Sequence, residues 1–183
     1  MKKKTKEDIV KAAFEILKDQ GIDKVNARSI AKKLNCSVQP IFYQFNNMDE
    51  LKQALLEYAL DYYQKLLLTF KVDEPKYKQI GINYIKFARL NPYVFKYIFM
   101  GNHHIKLEEM VYFDKSYEEV EKIFQLQNKI SIEMVKSFHL KMWMFTHGIA
   151  CLIATDTCEF SDSKISNLLT EEFQALMKTV DSN

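Results

Sequence analysis

Ser37, Val38, Gln39, Pro40, Tyr43 and Gln44 fall within eight residues and offer a mixture of hydrogen-bonding and small apolar side chains. Presented together at the start of a helix, such groups suit the base edges of a nucleic-acid major groove. The elements around them must hold that surface outward. Residues 26 to 51, NARSIAKKLNCSVQPIFYQFNNMDEL, spell two short helices joined by a tight turn, then an abrupt third helix start. Asn26 is a good N-cap, and Ile30, Ala31 and Leu34 recur on one apolar face. Asn35 makes the turn, because its short amide tolerates positive φ. Ser37 caps the second helix, Pro40 takes its third position, and Ile41, Phe42 and Phe45 face inward. Two core helices with a polar outer face would share part of this pattern. The order of turn, cap, early proline and aromatic run favours a helix-turn-helix.

The N-terminal third resembles the TetR family of bacterial transcriptional regulators. In that family a first helix ending in Gly precedes the pair, as Ile9-Val10-Lys11-Ala12-Ala13-Phe14 through Gln20-Gly21-Ile22 does here. An Ile-Ala pair, a turn residue, a Ser cap, an aromatic run and an acidic-x-Leu helix start follow. They stand here as Ile30-Ala31, Asn35, Ser37, Ile41-Phe42-Tyr43-Gln44-Phe45 and Asp49-Glu50-Leu51, so the likeness covers nearly all of residues 5 to 51. The chain departs from the family at three points. Phe42 stands where a Tyr usually meets a phosphate, with Tyr43 beside it as a substitute; Met48 replaces a common Lys, and Gln44 a common His. Each change loosens the grip on phosphates more than the reading of bases.

Net charge is +2 over the 183 residues, but it is unevenly divided. Residues 1–48 carry ten Lys and Arg against five Asp and Glu, a net of +5, which leaves 16 against 19, or −3, for the remainder. A cationic head on an anionic body fits a protein whose head alone meets a polyanion. Thr5-Lys6-Glu7-Asp8 reads as a helix cap, with Lys2 to Lys4 as an arm able to reach phosphates. Arg28, two residues past the Asn26 cap, is placed to clamp the backbone. Lys4, Asn26, Arg28, Ser37, Val38, Gln39, Pro40, Tyr43, Gln44 and Asn47 are the candidate DNA contacts.

The chain is read as all-α, with a helix-turn-helix DNA-binding domain over 1–47 and a helical effector-binding and dimerisation domain over 48–183. Beyond Met48 the expected helices run from about Asn47 to Phe70, Lys76 to Arg89 and Pro92 to Met100. A seventh starts at Ser116 or nearer Leu107, and two long ones cover Ser131–Thr157 and Asp162–Val180. Asp73-Glu74-Pro75 and Asn91-Pro92 supply breaks. The pattern calls for no membrane span or secretion signal, and a cytoplasmic protein is expected. Cys36, Cys151 and Cys158, an odd count without Cys-x-x-Cys spacing, fit reduced thiols.

The TetR resemblance implies that the last two helices form a homodimer interface. The eighth helix is apolar on more than one side, which fits burial against both its own bundle and a twin; a central core helix is the other reading. Phe138, Phe145, Ile149, Leu152, Phe173 and Leu176 are the interface candidates. Trp143-Met144-Phe145-Thr146-His147-Gly148 resembles a Trp-x-x-x-His-Gly stretch of one branch of such regulators. Trp143 and His147 share a helix face, Gly148 would admit a neighbouring backbone, and the group either gates an effector pocket or is packed core. Tyr62, Tyr84, Phe87, Tyr97, Phe113, Trp143 and His147 are the candidate pocket wall, suited to an apolar or aromatic effector.

No Gly-rich phosphate loop, Gly-x-Ser-x-Gly elbow or His-Glu-x-x-His helix occurs. Met100, Gly101, Lys136 and Met144 stand three residues before the four histidines, so no Glu-x-x-His pair exists for a di-iron site. Neither enzymatic activity, a cofactor nor a bound metal is expected. The resulting expectation is a one-component regulator, more plausibly a repressor. It would bind an inverted-repeat operator as a homodimer and be released by a small molecule. The alternative is a TetR-like co-regulator with little DNA binding of its own, acting through a protein partner.

Overall fold

Thr5 accepts the Asp8 N–H and receives the Asp8 carboxylate at its own amide, a reciprocal cap that opens α1 (Lys6–Gln20). In the computed structural model, residues 4–69, 75–103, 106–112, 115–125 and 131–181 are described. The Lys2–Lys3 arm, Phe70, Asp73, Glu74, His104 and Phe113 lie outside them. Every regular element among the described residues is helical.

The residues group into two compact units, Met1–Tyr63 with Asn91–Gly101, and Gln64–Leu90 with Asn102–Asn183. The first contains α1, a 3₁₀ turn (Ile22–Lys24), α2 (Ala27–Lys33) and α3 (Gln39–Gln44). It also holds most of α4 (Met48–Leu67) and α6 (Pro92–Phe99). This unit therefore takes in more than residues 1–47. A three-helix head with so short a pair cannot bury α1 on both sides, and α6 covers it with Val94, Phe95 and Ile98, all buried. Gly21 ends α1 at φ +85°, where the ring of Tyr93 would lie 3.1 Å from any Cβ. Only glycine suits that position.

Two helix ends in the molecule close the same way. Asn35 at φ +49° follows α2, with Cys36 N–H donating to the Ala31 carbonyl at 3.0 Å and Asn35 N–H to Lys32 at 3.2 Å. Asp156 at φ +57° follows α9, with Thr157 N–H on Leu152 at 2.9 Å and Asp156 N–H on Ile153 at 3.0 Å. Both are Schellman closures, and both place a short polar side chain where glycine is usual.

The second unit holds α5 (Lys76–Leu90), α7 (Leu107–Tyr112), α8 (Lys115–Gln125), α9 (Ile132–Ala154) and α10 (Asp162–Asp181). α5 packs chiefly along α9, and α8 and α10 touch both. Val120, Phe124, Val135, Phe138 and Met142 form a core on which Phe173, Leu176 and Met177 of α10 close. Arg89 ties the end of α5 to the start of α10, donating to Asp162 Oδ1 and to the Phe160 carbonyl at 2.7 Å each. Gly148, expected to admit a neighbouring backbone, has nothing within 4 Å of a Cβ built on it and is exposed. Its helix turns that side away from the bundle.

Candidate nucleic-acid interface and interior cavity

The helix pair forms from the predicted start. Asn26 Oδ1 accepts the Arg28 and Ser29 amides, and Ser29 Oγ in turn accepts the Asn26 N–H, so α2 is capped from both directions. The second helix begins differently from the sequence expectation. Its N-cap is Val38, without a side-chain bond, and Pro40 falls within the first two helical positions. A cap at Ser37 could bond the amide of residue 39 but not that of residue 40, since proline has none. Ser37 is instead left exposed.

A second difference concerns Phe42. Ile41 and Phe45 are buried, but Phe42 is 49% exposed, not inward-facing as the pattern suggested. In a six-residue helix the inward stripe is one residue wide, and Ile41 with its i+4 neighbour fills it. Phe42 lies about 100° round the axis. Its neighbours there are Gln39, Tyr43 at 75% exposure and Val38 at 39%. The outward face of α3 thus combines one amide with three apolar or aromatic groups.

The other candidate contacts divide by what their polar atoms already do. Gln44 Nε2 donates to the Lys4 carbonyl at 3.2 Å, which pins the start of the described chain. Asn47 Oδ1 accepts the Glu50 amide at 2.8 Å and so caps α4. The Glu50 carboxylate is held below the usual range first by the Asn46 backbone N–H and then by Lys6. Asn26 is likewise occupied as a cap. Arg28, Lys32 and Lys33 on α2 are exposed and, among the described residues, form no ion pair. Pro40 is half-buried. The first unit therefore presents Ser37 and Val38 just before α3 and Gln39, Phe42 and Tyr43 on it, with exposed cations on the helix before.

In the second unit, α5, α8, α9 and α10 line a half-open cavity of about 320 Å³. Its wall includes Tyr77, Gly81 and Tyr84 of α5 and His139, Met142, Trp143 and Thr146 of α9. Leu169 and Phe173 of α10 complete it. Gly81 keeps the space open, since a Cβ there would stand 3.3 Å from Leu169. Two tyrosine–histidine bonds cross between α5 and α9: Tyr77 Oη to His139 Nδ1 at 3.1 Å and Tyr84 Oη to His147 Nδ1 at 2.8 Å. His139 Nε2 donates to the Val111 carbonyl at 3.2 Å, which leaves Nδ1 to accept the Tyr77 hydroxyl proton in the neutral ring. Burial lowers the His139 pKa to about 4, the Val111 bond opposing it, and burial also lowers that of His147. Trp143 stacks on His147 at 4.7 Å with 8° between planes, and Cys151 Sγ lies 3.3 Å from His147 Nε2.

Of the candidate wall residues, Tyr84 and Trp143 line the cavity, with His147 behind them. Phe87 is buried elsewhere in the second unit. Tyr62 and Tyr97 belong to the first unit. Tyr62 packs on Phe14 with ring centroids 4.9 Å apart, and the Tyr97 hydroxyl donates to the Lys52 carbonyl at 2.9 Å. Burial pushes the Tyr97 hydroxyl up to about 12. Tyr77, Gly81, His139 and Thr146 were missed as wall residues. The signal was present, because Tyr77 and Tyr84 are seven apart, as are His139 and Thr146, a spacing that puts each pair on one helix face.

The dimer candidates fall into two sets. Phe138 and Ile149 are buried within their own unit, and Phe173 and Leu176 pack on the Phe138 cluster. Leu152 is exposed and Phe145 half-buried. Met144, Gly148 and Leu152 form an exposed stripe at i, i+4, i+8 on α9.

Among the described residues, no group of three His, Cys, Asp or Glu is placed to hold a metal ion. No described helix is long and apolar enough to cross a membrane. Residues 9–55 match the family model described as bacterial regulatory proteins, tetR family. A TetR-family transcriptional regulator from Haemophilus influenzae RD superposes with TM-score 0.62 at 15% identity, covering 93% of this chain and 94% of that one. A transcriptional regulator from Rhodococcus sp. Rha1 gives 0.61 at 12%, covering 97% and 98%. The TetR family protein ActR from Streptomyces coelicolor, in complex with (S)-DNPA, gives 0.55 at 15%, covering 98% and 100%. No curated protein matches the sequence.

Proposed function

We propose that this chain, which has the N-terminal domain and the all-α fold of TetR-family transcriptional regulators, binds operator DNA as a homodimer and is released by a small apolar or aromatic molecule. The DNA-binding part is residues 1–47 and the effector-binding and dimerisation part residues 48–183. The observation that carries the reading is the outward face of α3, with Gln39 and its apolar neighbours exposed, and the exposed Arg28, Lys32 and Lys33 of α2, which form no ion pair among the described residues. A helix set to enter a major groove needs its base-reading side chains uncovered and cations near the phosphates.

Dimerisation uses α9 and α10, with the Met144, Gly148 and Leu152 stripe of α9 meeting its symmetry mate. Two heads about 34–36 Å apart match an inverted repeat of one helical turn. The cavity supports the effector role: its wall is mainly apolar, and its Tyr77 and Tyr84 hydroxyls are bonded to His139 and His147. A ligand shifts the equilibrium between head spacings only by its differential affinity for them. Repression follows if an occupied operator excludes polymerase.

Gel-shift titration of a duplex pool against salt tests DNA binding. Affinity falling with a log–log slope of about −0.9 for each phosphate contacted supports it. The loss of a hydroxyl at Phe42 and of a cation at Met48 favours the second reading, a co-regulator acting through a protein partner. That reading requires negligible DNA binding at every salt concentration.

A further inference from the structure

Exposed single apolar residues are ordinary on protein surfaces, but a cluster on one short helix is not. Among the described residues of the first unit the large exposed hydrophobic side chains are Val38, Phe42, Tyr43, Tyr93 and Met100, and three of them fall within six consecutive positions. α3 carries no charge. Among the described residues no ring stacks on Phe42, whose side chain stands 49% exposed. Phe42 has no hydroxyl, so it cannot hydrogen-bond a phosphate. Its neighbours on the same face are Val38 at i−4 and Gln39 at i−3.

Major-groove base edges offer one apolar group, the thymine C5-methyl. A side-chain amide, in turn, matches the N6 and N7 of adenine. A face that holds Gln39 between Val38 and Phe42 is complementary to A·T pairs. The amide reads the adenine, and the two apolar side chains cover the methyl groups of its partner and its neighbour. The positive charge needed for the phosphates stands separately on α2, at Arg28, Lys32 and Lys33.

We infer that Phe42, with Val38, is a specificity-determining residue that reads thymine methyl groups in the operator half-site. This rests on the DNA-binding reading above. Removing one methyl from contact with an apolar side chain forfeits the burial of about one CH₂, close to a fourfold loss of affinity.

The test starts from a randomised duplex pool, enriched on the 183-residue chain at low salt. The best-bound duplex is then remade with deoxyuridine at single thymine positions, which deletes the methyl and leaves every hydrogen-bonding group in place. Affinity should fall about fourfold at one or two positions per half-site. In Phe42→Ala the thymine and deoxyuridine duplexes should bind alike, while the salt slope stays that of the wild type. Circular dichroism of this variant guards against misfolding, and Val38→Ala gives a second, milder reading of the same loss. Enrichment of a duplex whose deoxyuridine versions all bind like the parent would overturn the methyl contact alone. Failure to enrich any duplex would remove the DNA-binding reading, and this inference with it.

Discussion

Phe42 on α3 and Phe138 on α9 are the same residue in opposite circumstances. Phe138 lies within the second unit's core, ring to ring with Phe124 at 5.0 Å and Phe173 at 5.3 Å. Phe42 faces solvent beside Val38, Gln39 and Tyr43. The tyrosines repeat the contrast: Tyr84 is buried with its hydroxyl on His147, whereas Tyr43 is three-quarters exposed. Side chains whose partners lie inside the chain belong to the fold. Those that a short helix holds outward, without partners among the described residues, are free to meet whatever the chain binds.

Stability separates the two phenylalanines most strongly. Phe138→Ala should cost about 3–5 kcal/mol in urea unfolding, from lost burial plus the void left behind. Phe42→Ala should stay within about 0.5 kcal/mol of the parent while changing DNA preference. A large stability loss from Phe42→Ala would mean that the chain, not DNA, holds that ring.

The next effect is confined to the second unit. His139 is buried neutral with its pKa lowered to about 4, below the ordinary value of 6.5. Its contribution is fully present above pH 6.5 and is lost as pH falls toward 4, because the unfolded ring takes up the proton first. Urea midpoints at pH 7 and pH 5 should therefore differ by about 2 kcal/mol of stability, with His147 acting in the same direction. Stability unchanged between these values would show His139 to be solvated.

Smaller still is the turn that orients α3. Asn35→Ala should cost about 1 kcal/mol, since φ +49° disfavours a Cβ without a local hydrogen-bonding group, and Asn35→Gly should restore it. Chemical denaturation of the three proteins gives the order. The least visible change is Arg28→Ala, which should leave base preference and folding intact and reduce the salt slope by about one. A gel-shift salt series with an unchanged slope would free Arg28 of any phosphate role.

The parts of this molecule written in local chemistry were readable without coordinates. Thr5 and Asn26 act as caps, Asn35 takes positive φ, and Pro92 starts α6, because each depends on neighbours within four residues. Facing on α3 was not readable in the same way. Six residues give too little periodicity to tell which of Ile41 and Phe42 turns inward, and the helix is capped at Val38, one residue later than Ser37. The cavity was legible only at Tyr84 and Trp143. Tyr62 and Tyr97 are as aromatic and as regularly spaced, but packing in another unit claimed them. Asp156, which repeats the turn of Asn35, lacked the helix-pair context that drew attention to the first.

Hydrogen exchange of the whole 183-residue chain, with and without the enriched duplex, tests most directly whether the outward face of α3 is the reading surface. Amides of the segment from Ser37 to Gln44 should gain protection when DNA is added, together with those at the start of α2 around Arg28. Protection that appears with DNA elsewhere in the chain, leaving this segment exchanging as fast as in the free protein, would contradict it.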